Sequence, residues 1–174
     1  VQNTLGVRAI HPVPPVYVRG QIEAVMEDIR PDAVKIGMIN DVEIVKTIAS
    51  CLRTYRPRFV VFDSVMVSTS GHRLIEEDAI SALTRELMPL ASLITPNRAE
   101  LKQVIGEWKS EAELEEKAQR LRDKLELDGL LLTRSEEGMT LFRQDNIETQ
   151  GTRAQEVFDV SGAGDTVIAS MALS

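Results

Sequence analysis

Apolar residues recur three and four positions apart between residues 15 and 29, at Val18, Ile22, Val25, Met26 and Ile29, which predicts an amphipathic helix. A short β-prone run, AVKIGM, follows it. The helical period returns over residues 41–54 (DVEIVKTIASCLRT), with Asp41 placed to cap its start. RFVVFDSVM, residues 58–66, is then almost continuously apolar, the pattern of a strand buried on both faces in a parallel sheet. Residues 75–91 predict a third helix, LASLITPN a strand, residues 110–126 a fourth helix and LDGLLLTRS a further strand. Ser110 with Glu113 reads as a capping box for the fourth helix. GMTLFR and NIETQG form a hairpin pattern, and a last helix starts at Thr166.

Strands and helices alternating at this spacing predict a three-layer α/β/α fold around a mostly parallel sheet, built as a single domain over residues 1–174. In such a sheet ligands gather beyond the carboxyl ends of the strands. The stretches there are IGM (36–38), DSVM (63–66), TPNRAE (95–100), TRSEEG (133–138) and DVSGAGDT (159–166), rich in Gly, Thr, Asn and acid. They read as one site.

The last stretch carries the chemistry most openly. A turn of small residues opening a helix leaves backbone N–H groups pointing outward, an arrangement that binds anions and stabilises charge on a phosphoryl group in transit. Gly162, Ala163 and Gly164 would supply that anion hole, and Asp165, in the first turn of the helix, stands where a general base could take a proton from an attacking hydroxyl. On residue chemistry alone, an ordinary strand-to-helix turn with a helix-stabilising acid fits equally well. The spacing matches neither G-x-x-x-x-G-K-[ST] nor G-x-G-x-x-G.

Composition narrows the partners. A net charge of -7, with 20 Lys and Arg scattered along 174 residues, argues against a nucleic-acid polyanion. One cysteine, Cys51, allows no internal disulfide and reads as a packed helix-face thiol. No signal peptide and no apolar run of about 18 residues is visible, so the expectation is a cytoplasmic chain with no membrane partner.

DVSGAGDT resembles the C-terminal signature of the ribokinase-like superfamily, TPNRAE resembles its N-x-x-E element, and LLLTRSEEGMTLF its nucleotide-site strand and loop. The resemblance implies ATP and Mg2+ as cofactors and a small-molecule acceptor. It implies Asp165 as catalytic base and the 162–164 amides as anion hole. Asn97 and Glu100 would lie near the triphosphate and its magnesium, with Thr133, Ser135 and Gly138 in the stretch lining the nucleotide.

QNTLGV, VKIGMI and VVFDSVMVSTSGHRLI are similar to the hydroxymethylpyrimidine and phosphomethylpyrimidine kinases of thiamine biosynthesis, with the pyridoxal kinases further off. By that likeness Gln2 and Met38, with Met66, contact the pyrimidine, and Asp63 stands beside Glu100 at the metal, although Ser64 replaces the usual Pro. Core packing at strand ends explains Met38 and Met66 equally well. From about residue 94 the chain is more similar to the kinase domain of the heptose phosphate kinase and adenylyltransferase, whose acceptor is a sugar phosphate. The Asp at 165, where pyrimidine kinases normally carry Cys, belongs to that likeness. The two halves agree on ATP and phosphoryl transfer and differ on acceptor, with the pyrimidine favoured.

The glycine-rich segment with which both families begin has no counterpart after Val1, and the helical pattern at 166–174 stops short. The expectation is a fragment or chimera incomplete at both ends, with an open sheet edge, weak nucleotide binding and little turnover. The competing reading is a non-catalytic α/β scaffold. A homodimer is the expected assembly.

Overall fold

The computed structural model describes residues 2–3, 6–7, 11–39, 41–65 and 77–152. In chain order the elements are β1 (Gln2–Asn3), β2 (Gly6–Val7), α1 (Pro15–Asp28), β3 (Ala33–Ile36), α2 (Val42–Tyr55), β4 (Phe59–Phe62), α3 (Glu77–Ala82), β5 (Leu93–Ile94), α4 (Arg98–Ile105), α5 (Glu111–Lys124), β6 (Gly129–Thr133), β7 (Met139–Phe142) and β8 (Ile147–Gln150). β3 to β8 form one sheet in sequence order, while β1 and β2 pair antiparallel by themselves. Neighbours from β3 to β6 are parallel, and β7 and β8 add an antiparallel hairpin at the far edge.

Alternation along the strands explains the layers. Val60 and Phe62 of β4 join Leu130 and Leu132 of β6 in a core cluster with Leu52 of α2 and Leu114 of α5. Val61 and Leu131 point the other way and are still 3% and 2% exposed. A strand buried on both faces is what the middle of a three-layer fold requires. The α/β class and mostly parallel sheet expected from the sequence are therefore present.

Caps set several helix starts. Asp41 Oδ1 accepts from the N–H groups of Glu43 (2.8 Å) and Ile44 (3.0 Å), as expected for α2. At α5 the expectation is half right. Ser110 Oγ accepts from the Glu113 N–H at 3.2 Å, but the Glu113 carboxylate takes the N–H of Lys109 (2.7 Å) instead of closing the box on Ser110. That bond and Lys117 hold the Glu113 carboxyl below its ordinary value.

The single helix expected over 75–91 also needs correcting. After α3 the chain makes a π-helical turn (Leu83–Leu87) and a 3-10 turn (Met88–Leu90). Thr84 Oγ1 donates to the Ile80 carbonyl at 2.9 Å, and Pro89 has no N–H to continue the ladder. The strands expected over 58–66 and 90–97 are observed as the shorter β4 and β5, with Met66 outside the described residues.

α1 and α2 lie against each other, with Tyr55 donating its hydroxyl to Glu27 Oε1 at 2.9 Å. Cys51, 1% exposed, is packed as expected: burial pushes its thiol up, partly opposed by Arg19. The bond to Glu27, then partial burial, pushes the Tyr55 phenol up to about 12. A raised folded value means this contact stabilises the fold fully below the unfolded phenol value near 10, and loses that contribution as pH rises toward about 12. Alkaline titration followed by phenolate absorbance should show one tyrosine ionising late, and Glu27→Gln should bring it back toward the ordinary value. No change in Glu27→Gln would mean the bond is not made. No helix among the described residues is long and apolar enough to cross a membrane.

Candidate functional site

Because β3, β4, β5 and β6 run parallel, their carboxyl ends open onto the same side of the sheet. The ladders continue just past the named strands. The Asp63 N–H donates to the Ile36 carbonyl (2.8 Å), Thr95 N–H to Phe62 (3.1 Å) and Thr133 N–H to Pro96 (3.0 Å). These bonds draw the polar residues that follow each strand into one row, so the expected clustering of strand ends is observed for Gly37, Asp63, Thr95, Asn97 and Thr133.

Asp63 is the acid of the row. Its side chain is 14% exposed, Lys35 Nζ lies 3.5 Å from Oδ2, and Thr95 Oγ1 donates to Oδ1 at 3.3 Å. Next to it the Ser64 hydroxyl is buried without a hydrogen-bond partner among the described residues. The Lys35 ammonium thus sets a positive charge beside this half-enclosed carboxylate. A magnesium ion here would share Asp63 with Lys35. No group of three or more His, Cys, Asp or Glu side chains gathers among the described residues. Mg2+ ordinarily binds through one or two carboxylates plus substrate phosphates, so Asp63 and Glu100 fit that mode better than a closed protein cage.

Glu100 is 4% exposed, not a solvated acid. Its Oε2 accepts the Asn97 N–H at 2.9 Å, and Asn97 Oδ1 accepts the Glu100 N–H at 3.0 Å. This reciprocal capping box opens α4, a helix the hydrophobic period alone did not predict, although Asn followed three residues later by Glu is its signature. The N-x-x-E element is thus a structural unit, and its carboxylate is buried at the sheet end.

Thr133, Ser135 and Gly138 come together in one tight turn. The Arg134 N–H donates to the Gly138 carbonyl (2.8 Å), and the Gly138 N–H returns to Ser135 (3.1 Å). Ser135 has φ of 53° and Gly138 of 97°. An isolated parallel bridge joins Asn97 to Thr133, so the capping box and this turn are neighbours.

Met38 is 47% exposed and lines an apolar cleft of about 450 Å³ with Ile22, Val25, Val34 and Tyr55, which removes core packing as its explanation. Gln2 lies in β1, opposite Val7. Met66, Gly162, Ala163, Gly164 and Asp165 lie outside the described residues. The sequence does not mark Lys35, and it marks Thr95 only as the first residue of TPNRAE. Their place in or just after a strand was the available signal, but their convergence on Asp63 depends on register.

The phosphomethylpyrimidine kinase family matches residues 1–173. The D-beta-D-heptose 7-phosphate kinase of Bordetella bronchiseptica is 57% identical over 83 residues, 48% of this chain and 26% of that protein. The hydroxymethylpyrimidine/phosphomethylpyrimidine kinase of Rhizobium meliloti is 47% identical over 105 residues, 60% of this chain and 39% of that protein. The chain thus spans well under two thirds of these relatives. The crystal structure of phosphomethylpyrimidine kinase from Clostridium difficile 630 superposes with a TM-score of 0.81 at 28% identity, covering 99% of this chain and 74% of that one. The sequence likeness to both a pyrimidine and a heptose kinase is therefore real, and the fold is ribokinase-like.

Proposed function

Since the chain belongs to the phosphomethylpyrimidine kinase family, we propose that it transfers the γ-phosphoryl of ATP to the hydroxymethyl group of a pyrimidine, in the cytoplasm. The observation that carries this reading is the continuous row Asp63, Thr95, Asn97, Thr133 at the carboxyl end of the parallel strands, bounded by the Ser135–Glu137 turn and Gly138.

In this reading Asn97, Thr133, Ser135 and Gly138 form the wall against which the nucleotide lies. Glu100 and Asp63 would hold Mg2+, whose chemistry is to neutralise charge on the phosphates. Lys35 supplies a second, fixed positive charge beside Asp63. Gln2, Met38 and Met66 are the residues this reading assigns to the acceptor: an amide can pair with a ring nitrogen and exocyclic amine, and a thioether packs on a heteroaromatic face. Asp165 takes the hydroxymethyl proton as the oxygen attacks, and the amides of Gly162, Ala163 and Gly164 stabilise the charge on the migrating group.

A sugar phosphate acceptor is the second reading, favoured by the 57% identity to a heptose 7-phosphate kinase over 48% of the chain. Isothermal titration with a non-hydrolysable ATP analogue and Mg2+ tests the nucleotide site, with saturable heat expected. Absence of heat at millimolar nucleotide would leave a scaffold without catalysis. ADP release with hydroxymethylpyrimidine, pyridoxal and a heptose phosphate in parallel then assigns the acceptor, and the pyrimidine should be fastest.

A further inference from the structure

Two arginines follow directly on the bridged residues of the site: Arg98 after Asn97, and Arg134 after Thr133. Both turn toward the first residue of α5. Arg98 Nη2 donates to Glu111 Oε1, and Arg134 Nη1 donates to Glu111 Oε2 at 2.9 Å. Arg98 Nη1 also lies 3.3 Å from Glu137 Oε2 inside the turn, and Arg134 Nη2 lies 3.9 Å from Glu115. One carboxylate therefore ties together the start of α4, the start of α5 and the turn after β6.

The pair is enclosed on one side only, since Glu111 is 54% exposed while Arg134 is not. The Arg134 side chain is 10% exposed, and its Nε and Nη2 have no hydrogen-bond partner, so among the described residues Glu111 is its one side-chain hydrogen-bond acceptor, with Glu115 as a longer ion pair. A largely buried guanidinium that loses its charged hydrogen-bond acceptor is drawn toward water, because the ion pair left to it, Glu115 at 3.9 Å, makes no hydrogen bond. Arg134 cannot move far without dragging the turn, since its own N–H closes that turn on Gly138. The same motion would release Arg98 from α5 and slacken the capping box beside it.

We propose that Glu111 is a positioning residue for the nucleotide site: it holds the Asn97–Glu100 box and the 134–138 turn at a fixed separation through Arg98 and Arg134. The inference rests on the kinase reading above. Glu111 touches neither nucleotide nor acceptor in this role.

Glu113 provides the control, because it stands in the same first turn of α5 and caps Lys109 without reaching either arginine. Glu111→Gln, Glu111→Asp and Glu113→Gln are compared by thermal melting, by hydrogen exchange of residues 134–138 without nucleotide, and by titration with a non-hydrolysable ATP analogue and Mg2+. Glu111→Gln should speed exchange in the turn and weaken nucleotide binding about fivefold to tenfold, the size of coupling that such networks carry. Glu111→Asp, which keeps the charge, should recover most of the affinity. Glu113→Gln should lower the melting temperature without changing affinity or turn exchange. Equal affinity losses in Glu111→Gln and Glu113→Gln, or unchanged affinity in Glu111→Gln, would overturn the positioning role alone. A wild-type chain that takes up no nucleotide removes the kinase reading and this role together.

Discussion

Gly138→Ala should be the most destabilising single-methyl change in the described part of the chain. A Cβ at 138 would sit 2.0 Å from the Gln150 carbonyl oxygen and 2.9 Å from the Gly151 Cα, both main-chain atoms that no rotamer change can clear. The φ of 97° adds a conformation that an L side chain rarely adopts. Overpacking costs about 1–3 kcal/mol and the left-handed backbone roughly 1–2 kcal/mol, so a total of about 2–5 kcal/mol is expected. In a chain of this length that lowers the melting temperature by about 10 °C. Gly106→Ala is the matched control: its φ is 76°, yet nothing lies within 4 Å of the added carbon, so it bears the backbone cost alone. Relief at Gly138 must come from β8, which is exposed along its length and pairs Gln150 with Met139. Exchange should therefore rise first at the 139–150 end of the hairpin. Equal melting temperatures for the two variants would mean that β8 does not close over the turn.

The same turn shows where the sequence was informative and where it stopped. Its hairpin was legible because GMTLFR and NIETQG alternate on either side of a polar pair, a signal confined to neighbouring residues. Asp41 was legible as a cap for the same reason. The strand β5 was legible from LASLITPN though only two of those residues form it, whereas the eight-residue helix α4 is too short for a period to emerge and announces itself through Asn97 and Glu100 instead. The break after Ala82 was present in the sequence as Pro89, but a strong apolar period masked it.

Long-range pairs were not legible at all. Lys35 meets Asp63 only because β3 sets Ile36 opposite Phe62, and Glu111 meets Arg134 only because α5 starts beside the end of β6. Charges twenty or more positions apart carry no local periodicity, so their pairing follows from the fold. The candidate site was thus predictable as a set of strand ends, while the electrostatics joining those ends had to be seen.

Asp165→Asn should abolish most turnover while leaving nucleotide binding in place. The proposal gives Asp165 a single task, to accept the proton of the acceptor hydroxyl, and an amide of the same size cannot do it. General-base catalysis contributes about 10²- to 10⁴-fold, so kcat for ADP release should fall by that range with KM for ATP nearly constant. Nucleotide affinity should hold because the residues proposed for it, Asn97, Thr133, Ser135 and Gly138, belong to other elements. The loss of one negative charge near the amides of 162–164 should if anything favour the triphosphate there, since those donors attract anions. A variant that binds the ATP analogue as the parent does and fails to release ADP places the defect in proton transfer. Full turnover in Asp165→Asn would remove the carboxylate from the reaction and leave charge stabilisation by the backbone amides as the main catalytic term. The contrast with Glu111→Gln separates the two roles: there affinity changes and the chemical step of the bound complex does not, whereas at Asp165 the reverse holds.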